Sequence, residues 1–171
     1  MSGIEHREGA PKHLRLAVLT ISDSRSAAMR DGKDMDVSGK IIERRLQEMG
    51  HESTRLIVPD EAREIGAAVK KFISDKKIDA IITTGGTGIT FRDVTIETIQ
   101  PLFEKELPGF GEILRQRGYQ KVGGPAILTR ATAGLIKRKP VFCLPGAPNA
   151  VEVAMDLIIP ELGHLVKHAR E

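Results

Sequence analysis

Short apolar runs alternate with segments of helical periodicity along most of this chain, beginning at Leu14. The runs predict buried strands at residues 14–21, 55–58, 79–84 and 141–144. One segment between the second and third runs repeats apolar residues at i, i+3, i+4, i+7 and i+8, namely Ile65, Ala68, Val69, Phe72 and Ile73. Further helices are predicted over 38–49, from Thr95, over 111–117, after Pro148 and over 161–171. This alternation predicts an α/β fold, with a mostly parallel sheet covered by helices on both faces.

Local signals refine the predicted helix ends and one connection. Ser38 is placed to cap the helix that Gly50 ends, and Asn149 with Glu152 forms a plausible capping pair after Pro148. The segment 121–140 has the weakest pattern, although its basic residues 137–139 suit the tip of a hairpin before the fourth strand. The acidic residues Asp31, Asp34 and Asp36 are expected in a solvated loop, because their spacing is not that of a calcium-binding loop.

Composition indicates one globular domain with small anionic partners. The chain has 171 residues, of which 40% are hydrophobic and 29% charged, and no internal repeat or linker divides it. Residues 1–12 are polar and without period, so we expect a flexible tail before a single domain over 13–171. The net charge of +3 favours phosphorylated small molecules and is too small to predict a nucleic-acid partner.

The sequence also predicts a cytoplasmic protein without a membrane partner. Its N-terminus lacks the apolar stretch of a signal peptide, and no apolar run approaches the roughly 20 residues that span a bilayer. Cys143 is the only cysteine, which suits a reducing compartment, and its place in a core strand predicts an inert packing role. His164 and His168 lie four residues apart on the last predicted helix, where a solvated face is favoured over a metal site.

The unusual residues follow the predicted strands. Residues 22–25 (SDSR) follow the first strand, 59–61 (PDE) the second, 84–88 (TGGTG) the third and 145–149 (PGAPN) the fourth. Parallel strands end at one edge of the sheet, and ligands of open α/β sheets bind outside that edge. The sequence therefore predicts that these loops form a single binding site.

The glycine-rich segment 84–88 carries the strongest local signal. Glycines let the backbone approach a ligand closely, and the helix that follows offers its positive end to an anion. This favours a loop that cradles a phosphate or a polar heterocycle. The alternative is a tight strand-to-helix turn, but a turn does not require Gly85, Gly86 and Gly88 together. The segment matches neither the dinucleotide-binding nor the Walker A pattern.

Asp60 and Asp93 are the candidate metal ligands. Each lies just beyond a predicted strand, where one or two carboxylates can hold the Mg²⁺ of a nucleotide triphosphate. Both also suit the N-caps of the helices that follow, and the two roles are compatible. Ser22, Ser24 and Arg25 offer hydroxyl donors and a cation to a phosphate, or else form an ordinary polar turn.

The ordered set of motifs resembles one known family. Residues 83–88 (TTGGTG), 92–95 (RDVT), 108–112 (PGFGE) and 145–148 (PGAP), together with 22–24 and 59–61, resemble the molybdenum-cofactor synthesis proteins of the MoaB/Mog family. The resemblance covers residues 13–168 approximately. It implies a three-layer α/β/α fold with a small β-hairpin, assembled as trimers or as hexamers.

The resemblance also implies an activity. Such proteins transfer AMP from ATP to the terminal phosphate of molybdopterin in the presence of Mg²⁺, release pyrophosphate and hand their product to a molybdate-insertion enzyme. Asp60 and Asp93 would be the catalytic pair and the metal ligands. The substrate-binding positions implied are Ser22, Asp23, Ser24, Thr84, Gly85, Gly86, Thr87, Gly88, Pro145, Gly146, Pro148 and Asn149.

Two departures and two rival functions remain. Ile96 stands where many members have proline, which affects helix initiation. Asn149 stands where some members have lysine, so one cationic substrate contact is missing. The main alternative is a non-catalytic molybdopterin-binding or scaffold protein of the same family, and the presence of both aspartates favours the enzyme. A generic nucleotide-binding module would explain the glycine loop alone.

Overall fold

The computed structural model describes residues 9–171. Its strands are β1 (Arg15–Ile21), β2 (Glu52–Val58), β3 (Ala80–Thr84), β4 (Lys105–Glu106), β5 (Thr132–Ile136) and β6 (Lys139–Leu144). Its helices are α1 (Asp23–Arg30), α2 (Val37–Glu48), α3 (Ala62–Ser74), α4 (Thr95–Ile99), α5 (Pro108–Val122), α6 (Pro148–Ile158) and α7 (Leu162–Arg170). Short 3₁₀ turns lie at Gln100–Leu102, Gly124–Leu128 and Ile159–Glu161.

All six strands form one sheet in the order β2-β1-β3-β6-β5-β4. Strands β2, β1, β3 and β6 run parallel, whereas β5 pairs antiparallel with both β6 and β4. The predicted hairpin tip is confirmed between β5 and β6, where Lys137 and Arg138 have φ angles of 46° and 64°. Two successive positive φ angles are typical of tight hairpin turns whose twist matches that of the strands.

Helices cover both faces of the sheet, so the predicted three-layer α/β fold is confirmed. On one face, α2, α5, α6 and α7 pack against alternate strand residues such as Val18 and Ile82. On the other face, α3 and α4 pack against Leu19 and Ile81. The predicted apolar face of α3, from Ile65 to Ile73, is buried throughout. The period-2 alternation of side chains explains why every core strand serves two separate apolar clusters.

Several elements differ in extent from the sequence prediction. Helix α1 was not predicted, because Ser26 is its only buried residue and no apolar period marks it. Strand β2 begins three residues earlier than predicted, since as an edge strand it alternates exposed and half-buried positions. Helix α5 is longer than the predicted 111–117, and of its fifteen residues only Gly111 and Leu114 are buried. Weakly buried elements leave little hydrophobic pattern, so their limits were misjudged.

The start of α2 corrects two predictions. Asp36 caps the helix in place of Ser38, and its Oδ1 accepts from the Gly39 N–H at 2.9 Å. Asp36 is also fully buried, not solvated. Its Oδ2 accepts from the Thr20 hydroxyl at 2.6 Å and from the Arg55 guanidinium at 2.9 Å. A buried carboxylate must be paired, and the cation that pairs it comes from β2, 19 residues further along the chain.

Helix α6 also begins differently from the prediction. Its N-cap is Ala147, which has no side-chain capping bond, and Pro148 is the first helical residue. Proline suits that position because the N–H it lacks would be unpaired there in any case. Glu152 pairs with Arg44 and Arg45 of α2 and does not form the predicted capping pair.

The N-terminal segment is described only from Gly9. Residues 1–8 of the predicted tail lie outside the described residues, and that part stays a prediction. Further along, the Pro11 carbonyl oxygen lies 2.7 Å from where a Cβ on Gly163 of α7 would stand, so the chain contacts the domain before residue 13. Within residues 9–171, no helix combines the length and apolar character needed to cross a membrane.

Candidate active site

A cavity of about 540 Å³ opens at the carboxyl edge of the parallel strands. It lies at the point where the strand order reverses, because β2 is on one side of β1 and β3 is on the other. Open α/β sheets bind ligands in the crevice at such a point. The loops after β1, β2, β3 and β6 all contribute, as the sequence predicts. Its lining residues are Ile21, Ser22, Arg25, Asp60, Gly85, Gly86, Thr87, Gly88, Asp93, Leu128, Thr129, Pro145, Gly146 and Ala147.

The glycine loop needs its glycines for steric reasons. Gly85 has a φ of +100°, and a Cβ on it would stand 2.1 Å from the Ile21 carbonyl oxygen. Gly86 has a φ of +63°, and a Cβ there would meet the Thr95 hydroxyl at 2.3 Å and an Asp60 carboxylate oxygen at 3.0 Å. The loop backbone therefore lies directly against β1 and Asp60. The tight turn is confirmed and it forms one wall of the cavity, whereas contact of this loop with a phosphate or a heterocycle stays a prediction.

Asp60 is joined to Asp23 by reciprocal hydrogen bonds. The Asp23 N–H donates to Asp60 Oδ2 at 2.9 Å, and the Asp60 N–H donates to Asp23 Oδ1 at 3.0 Å. Burial raises the pKa of Asp60, and the nearby carboxylates of Asp23 and Asp93 raise it further against the lowering effect of the Asp23 N–H. Asp60 is not the cap of α3, whose N-cap residue Glu61 makes no side-chain bond. The capping interpretation of Asp60 is therefore wrong.

Asp93 closes a turn that also lines the cavity. Its Oδ2 accepts from the Thr90 N–H at 2.8 Å and from the Thr90 hydroxyl at 2.6 Å. Burial alone would raise the pKa of Asp93, but these bonds and one from the Gly88 N–H hold it below the ordinary value. The N-cap of α4 is Val94, without a side-chain bond, so the capping interpretation is wrong for Asp93 also.

The loop after β1 supplies the positive charge of the cavity. Ser22 caps α1, its hydroxyl accepting from the Arg25 N–H at 3.3 Å, and it lies 3.2 Å from the Ser24 hydroxyl. Arg25 is the one basic side chain in the lining, and within residues 9–171 it forms no ion pair. A guanidinium without a carboxylate partner is available to a phosphate.

Other predicted binding residues lie beside the cavity and not in its lining. Asp23 forms an ion pair with Arg92 at 2.8 Å, and this guanidinium is the main cause of the lowered pKa of Asp23. Thr84 is 1% exposed, and its hydroxyl donates to the Pro145 carbonyl. The remaining three are Ser24, Pro148 and Asn149, all of them exposed at the first turns of α1 and α6.

Leu128 and Thr129 line the cavity although no sequence motif predicts them there, and none predicts Arg130, which holds this segment near the glycine loop. Leu128 and Thr129 reach the cavity from the end of a 3₁₀ turn, in the segment without periodicity. The following Arg130 donates to the Thr87 carbonyl at 3.1 Å and pairs with Glu97 of α4. Among sequence signals, only the position of these residues before the predicted hairpin could have indicated them.

A second cavity, of about 590 Å³, lies between α5 and the α6–α7 region. Apolar side chains such as Phe110, Leu157 and Leu165 line most of it, and it contains none of the predicted site residues. The concentration of carboxylates, glycines and an unpaired guanidinium therefore distinguishes the sheet-edge cavity as the candidate active site.

Comparison with known proteins identifies the family of the chain. The family model described as "Probable molybdopterin binding domain" matches residues 17–164. Molybdenum cofactor biosynthesis protein B of Bacillus subtilis is 46% identical, and the alignment covers 100% of this chain and 99% of that protein. Molybdopterin adenylyltransferase of Pyrococcus furiosus is 44% identical, with 98% of each chain covered.

Solved structures show the same fold. A crystal structure of molybdenum cofactor biosynthesis protein B matches with a TM-score of 0.87 and 43% identity, covering 94% of this chain and 98% of that one. The tungsten cofactor synthesizing protein MoaB of Pyrococcus furiosus matches with a TM-score of 0.83 and 44% identity, covering 95% and 100%. The family model spans every loop of the cavity, and both structures cover nearly the whole chain. This chain therefore belongs to the molybdenum-cofactor biosynthesis family that contains MoaB.

Proposed function

We propose that this chain is an enzyme that transfers AMP from Mg-ATP to the terminal phosphate of molybdopterin. One observation carries the proposal: Asp60 and Asp93 line the same cavity as the glycine loop and the unpaired Arg25. The Pyrococcus furiosus relative at 44% identity is named molybdopterin adenylyltransferase, which supports the same reaction.

The reaction is a displacement at the α-phosphorus of ATP. An oxygen of the molybdopterin phosphate forms the new P–O bond, the bond to the β-phosphate bridge breaks, and pyrophosphate leaves with the electron pair. Such a transfer requires in-line positioning of two anions and neutralisation of charge more than covalent help from the protein. Arg25 and the N–H groups of Gly86 and Thr87 are the groups we assign to that neutralisation, because the Gly85 and Gly88 N–H groups already bond Leu144 and Asp93.

Asp60 and Asp93 are the residues that would hold Mg²⁺. The donor set fits this ion, which binds proteins through one or two carboxylates and takes its other ligands from water and substrate phosphates. Residues 9–171 contain no cluster of three or more histidine, cysteine or acidic side chains that would hold a metal without substrate. The raised pKa of Asp60 fits the same role, because a cation relieves the repulsion from Asp23 and Asp93. When bound, Mg²⁺ supplies charge neutralisation on the triphosphate.

Molybdopterin contacts are assigned to the remaining loops. Ser22 and Ser24 offer hydroxyls, and the 85–88 and 145–147 segments offer two adjoining walls of backbone. Pro148 and Asn149 extend the second wall at the start of α6, where the helix end favours an anion. For Asp23 and Thr84 we assign indirect roles, because their polar atoms are engaged by Arg92, Asp60 and Pro145.

We further propose a cytoplasmic homo-oligomer, a trimer or a hexamer, that hands its product to a molybdate-insertion enzyme. The exposed apolar side chains Ile113, Tyr119 and Val122 on α5 support self-association. Light scattering coupled to gel filtration measures the assembly, and a monomeric mass at micromolar concentration would contradict it.

The experiment that tests the activity is pyrophosphate release from Mg-ATP, with and without molybdopterin, in the wild type and in Asp60→Asn and Asp93→Asn. We expect release only when molybdopterin and Mg²⁺ are both present, and a loss of about 10²-fold or more in each variant. Molybdopterin binding without any release would instead support the scaffold function. Asp31→Asn is the control, because Asp31 is exposed at the far end of α1 and does not line the cavity.

A further inference from the structure

Two buried hydroxyls hold the loop that follows β6. The Thr84 hydroxyl, at the end of β3, donates to the Pro145 carbonyl at 2.8 Å. The Ser38 hydroxyl, in the first turn of α2, donates to the Gly146 carbonyl at 2.8 Å. Thr84 is 1% exposed and Ser38 is fully buried, so both bonds approach the loop from the protein interior. Successive carbonyls of one cavity wall are thus fixed by two different elements.

A third buried hydroxyl holds the adjoining glycine loop, residues 85–88. Thr95, at the start of α4, is fully buried and its hydroxyl donates to the Gly85 carbonyl at 2.9 Å. The Thr95 N–H donates in addition to the Gly86 carbonyl at 3.0 Å. On this wall also, carbonyl oxygens of lining residues are bonded to the interior.

The two loops touch each other, so the three bonds act on one unit. A Cβ on Gly146 would stand 3.3 Å from the Gly85 Cα. The Gly85 N–H donates to the Leu144 carbonyl at 3.1 Å, just before the second loop begins. Displacement of either wall therefore moves the other.

The bonds matter because the proposed ligands are anions. A backbone carbonyl oxygen carries partial negative charge, and one that turned toward a phosphate would repel it. A hydroxyl that donates from the interior keeps the oxygen paired and on the protein side of the wall. Pre-set dipoles of this kind need no rearrangement when the charged ligand binds.

We infer that Ser38, Thr84 and Thr95 are positioning residues, whose hydroxyls hold the carbonyls of Gly146, Pro145 and Gly85 away from the phosphate groups of the ligand. None of the three lines the cavity. The inference rests on the proposed function only in taking the ligand to be phosphorylated.

Strand β3 offers a matched pair for the test. Thr84→Val removes the hydroxyl and keeps the shape, whereas Thr84→Ser keeps the hydroxyl. Thr83→Val is the control, since Thr83 is fully buried in the same strand and its hydroxyl, which lies next to Cys143 of β6, holds no carbonyl of the two loops among residues 9–171. Both valine variants lose one buried hydroxyl, and only one of them frees a carbonyl in the cavity wall.

The measurement is the Kd of molybdopterin by anaerobic titration calorimetry, with kcat and KM from pyrophosphate release, at a temperature where unfolding curves show every variant folded. We expect Thr84→Val to raise Kd and KM about tenfold, Thr84→Ser to restore most of the affinity, and Thr83→Val to stay within about twofold of the wild type. Ser38→Ala and Thr95→Val are expected to repeat the effect, and they replace Thr84→Val if it does not fold.

Two results would overturn the inference. One is wild-type affinity in all three hydroxyl-deletion variants. The other is an equal loss in Thr83→Val and Thr84→Val, which would show a general effect of buried hydroxyls on the strand. Because the calorimetry needs no turnover, a wild type that binds molybdopterin but releases no pyrophosphate would refute the proposed function and still test the positioning residues.

Discussion

Thr90 donates two hydrogen bonds to a single carboxylate oxygen of Asp93, from its N–H at 2.8 Å and from its hydroxyl at 2.6 Å. Charge-assisted bonds of this length stabilise the ionised carboxylate. Burial raises the pKa of Asp93, and these two bonds, together with the Gly88 N–H bond and the charge of Arg130, keep it below its ordinary value. The side chain proposed to hold Mg²⁺ is thus oriented by a neighbour three residues away.

Thr90→Val is expected to shift the acid limb of the activity profile upward. The variant keeps the N–H bond and loses the hydroxyl bond, so the pKa of Asp93 rises toward its ordinary value. Since the proposed reaction uses the carboxylate, kcat/KM then falls at a higher pH than in the wild type. The measurement is kcat/KM against pH below neutrality. Thr98→Val is the control, because the Thr98 hydroxyl donates only to the Val94 carbonyl in α4; identical profiles for wild type and Thr90→Val would contradict the prediction.

Asp23 is expected to act through Asp60. Asp23→Ala removes the acceptor of the Asp60 N–H and the partner of Arg92, and we expect kcat/KM to fall about tenfold as the loop after β2 loses its orientation. Asp23→Asn keeps an oxygen for the Asp60 N–H and removes one negative charge that raises the pKa of Asp60. We expect Asp23→Asn to retain more activity than Asp23→Ala. We also expect the acid limb of its kcat/KM profile to lie at lower pH than in the wild type. Equal losses in both variants would show that the charge of Asp23, not its acceptor geometry, is what matters.

The ion cluster at Arg55 is expected to dominate the charge contribution to stability. Arg55 on β2 donates to Asp34, Asp36 and Glu43, and its side chain is only 12% exposed. Arg55→Met leaves the buried carboxylate of Asp36 without its cation, so the free energy of unfolding should fall by about 3 to 5 kcal/mol. Arg15→Met is the control: its pair with Glu52 is 43% and 70% exposed, and a loss under about 1 kcal/mol is expected. Urea unfolding at neutral pH measures the free energy of unfolding of both variants. Similar losses in Arg55→Met and Arg15→Met would contradict the prediction.

The same cluster predicts a dependence of stability on pH. The Arg55 guanidinium holds the pKa of Asp34 well below its usual range. A carboxyl whose pKa is lowered by folding stabilises the fold above its unfolded-state pKa, near 4, and loses that contribution as the pH falls toward the folded-state value. We therefore expect the urea midpoint to decline between about pH 5 and 2, and part of that decline to be missing in Arg55→Met.

Gly85→Ala is expected to disrupt the site from the backbone. Its Cβ would meet the Ile21 carbonyl at 2.1 Å, and its φ of +100° is strained for any other residue. We expect a loss of at least about 2 kcal/mol in stability, with loss of molybdopterin binding. Gly124→Ala is the matched control, because a Cβ on Gly124 meets no atom within 4 Å. Normal binding by Gly85→Ala would show that the close approach to β1 is dispensable.

The location of the site can be predicted from the hydrophobic pattern of the sequence. Buried strands such as β1 and β3 leave continuous apolar runs, and the parallel arrangement brings the ends of those runs to one edge. That is why Ser22, Asp60 and Gly85 were predicted together although they are far apart in the chain. The glycine segment is recognisable in the sequence, because positive φ angles and close backbone contacts require glycine.

The sequence does not predict hydrogen bonds and ion pairs between residues that are far apart in the chain. In the sequence, Asp36 cannot be told from an exposed loop aspartate, because its partner Arg55 lies on strand β2. Ser38 has the sequence pattern of a helix cap, but in the structure its hydroxyl bonds the Gly146 carbonyl. Leu128 and Thr129 reach the cavity from a 3₁₀ turn whose conformation depends on its surroundings. Hydrogen bonds of buried polar groups are fixed by tertiary structure, and local patterns do not encode their partners.

The central place of β3 in the sheet has a consequence for how the chain emerges from the ribosome. All five residues of β3 are buried, and one of its two edges is covered by β6, which begins only at Lys139. A nascent chain shorter than that exposes a bare apolar strand edge, the kind of surface that invites aggregation and chaperone binding. The cavity itself draws on residues from Ile21 to Ala147, so a newly made chain can bind no ligand there until almost all of it has been synthesised.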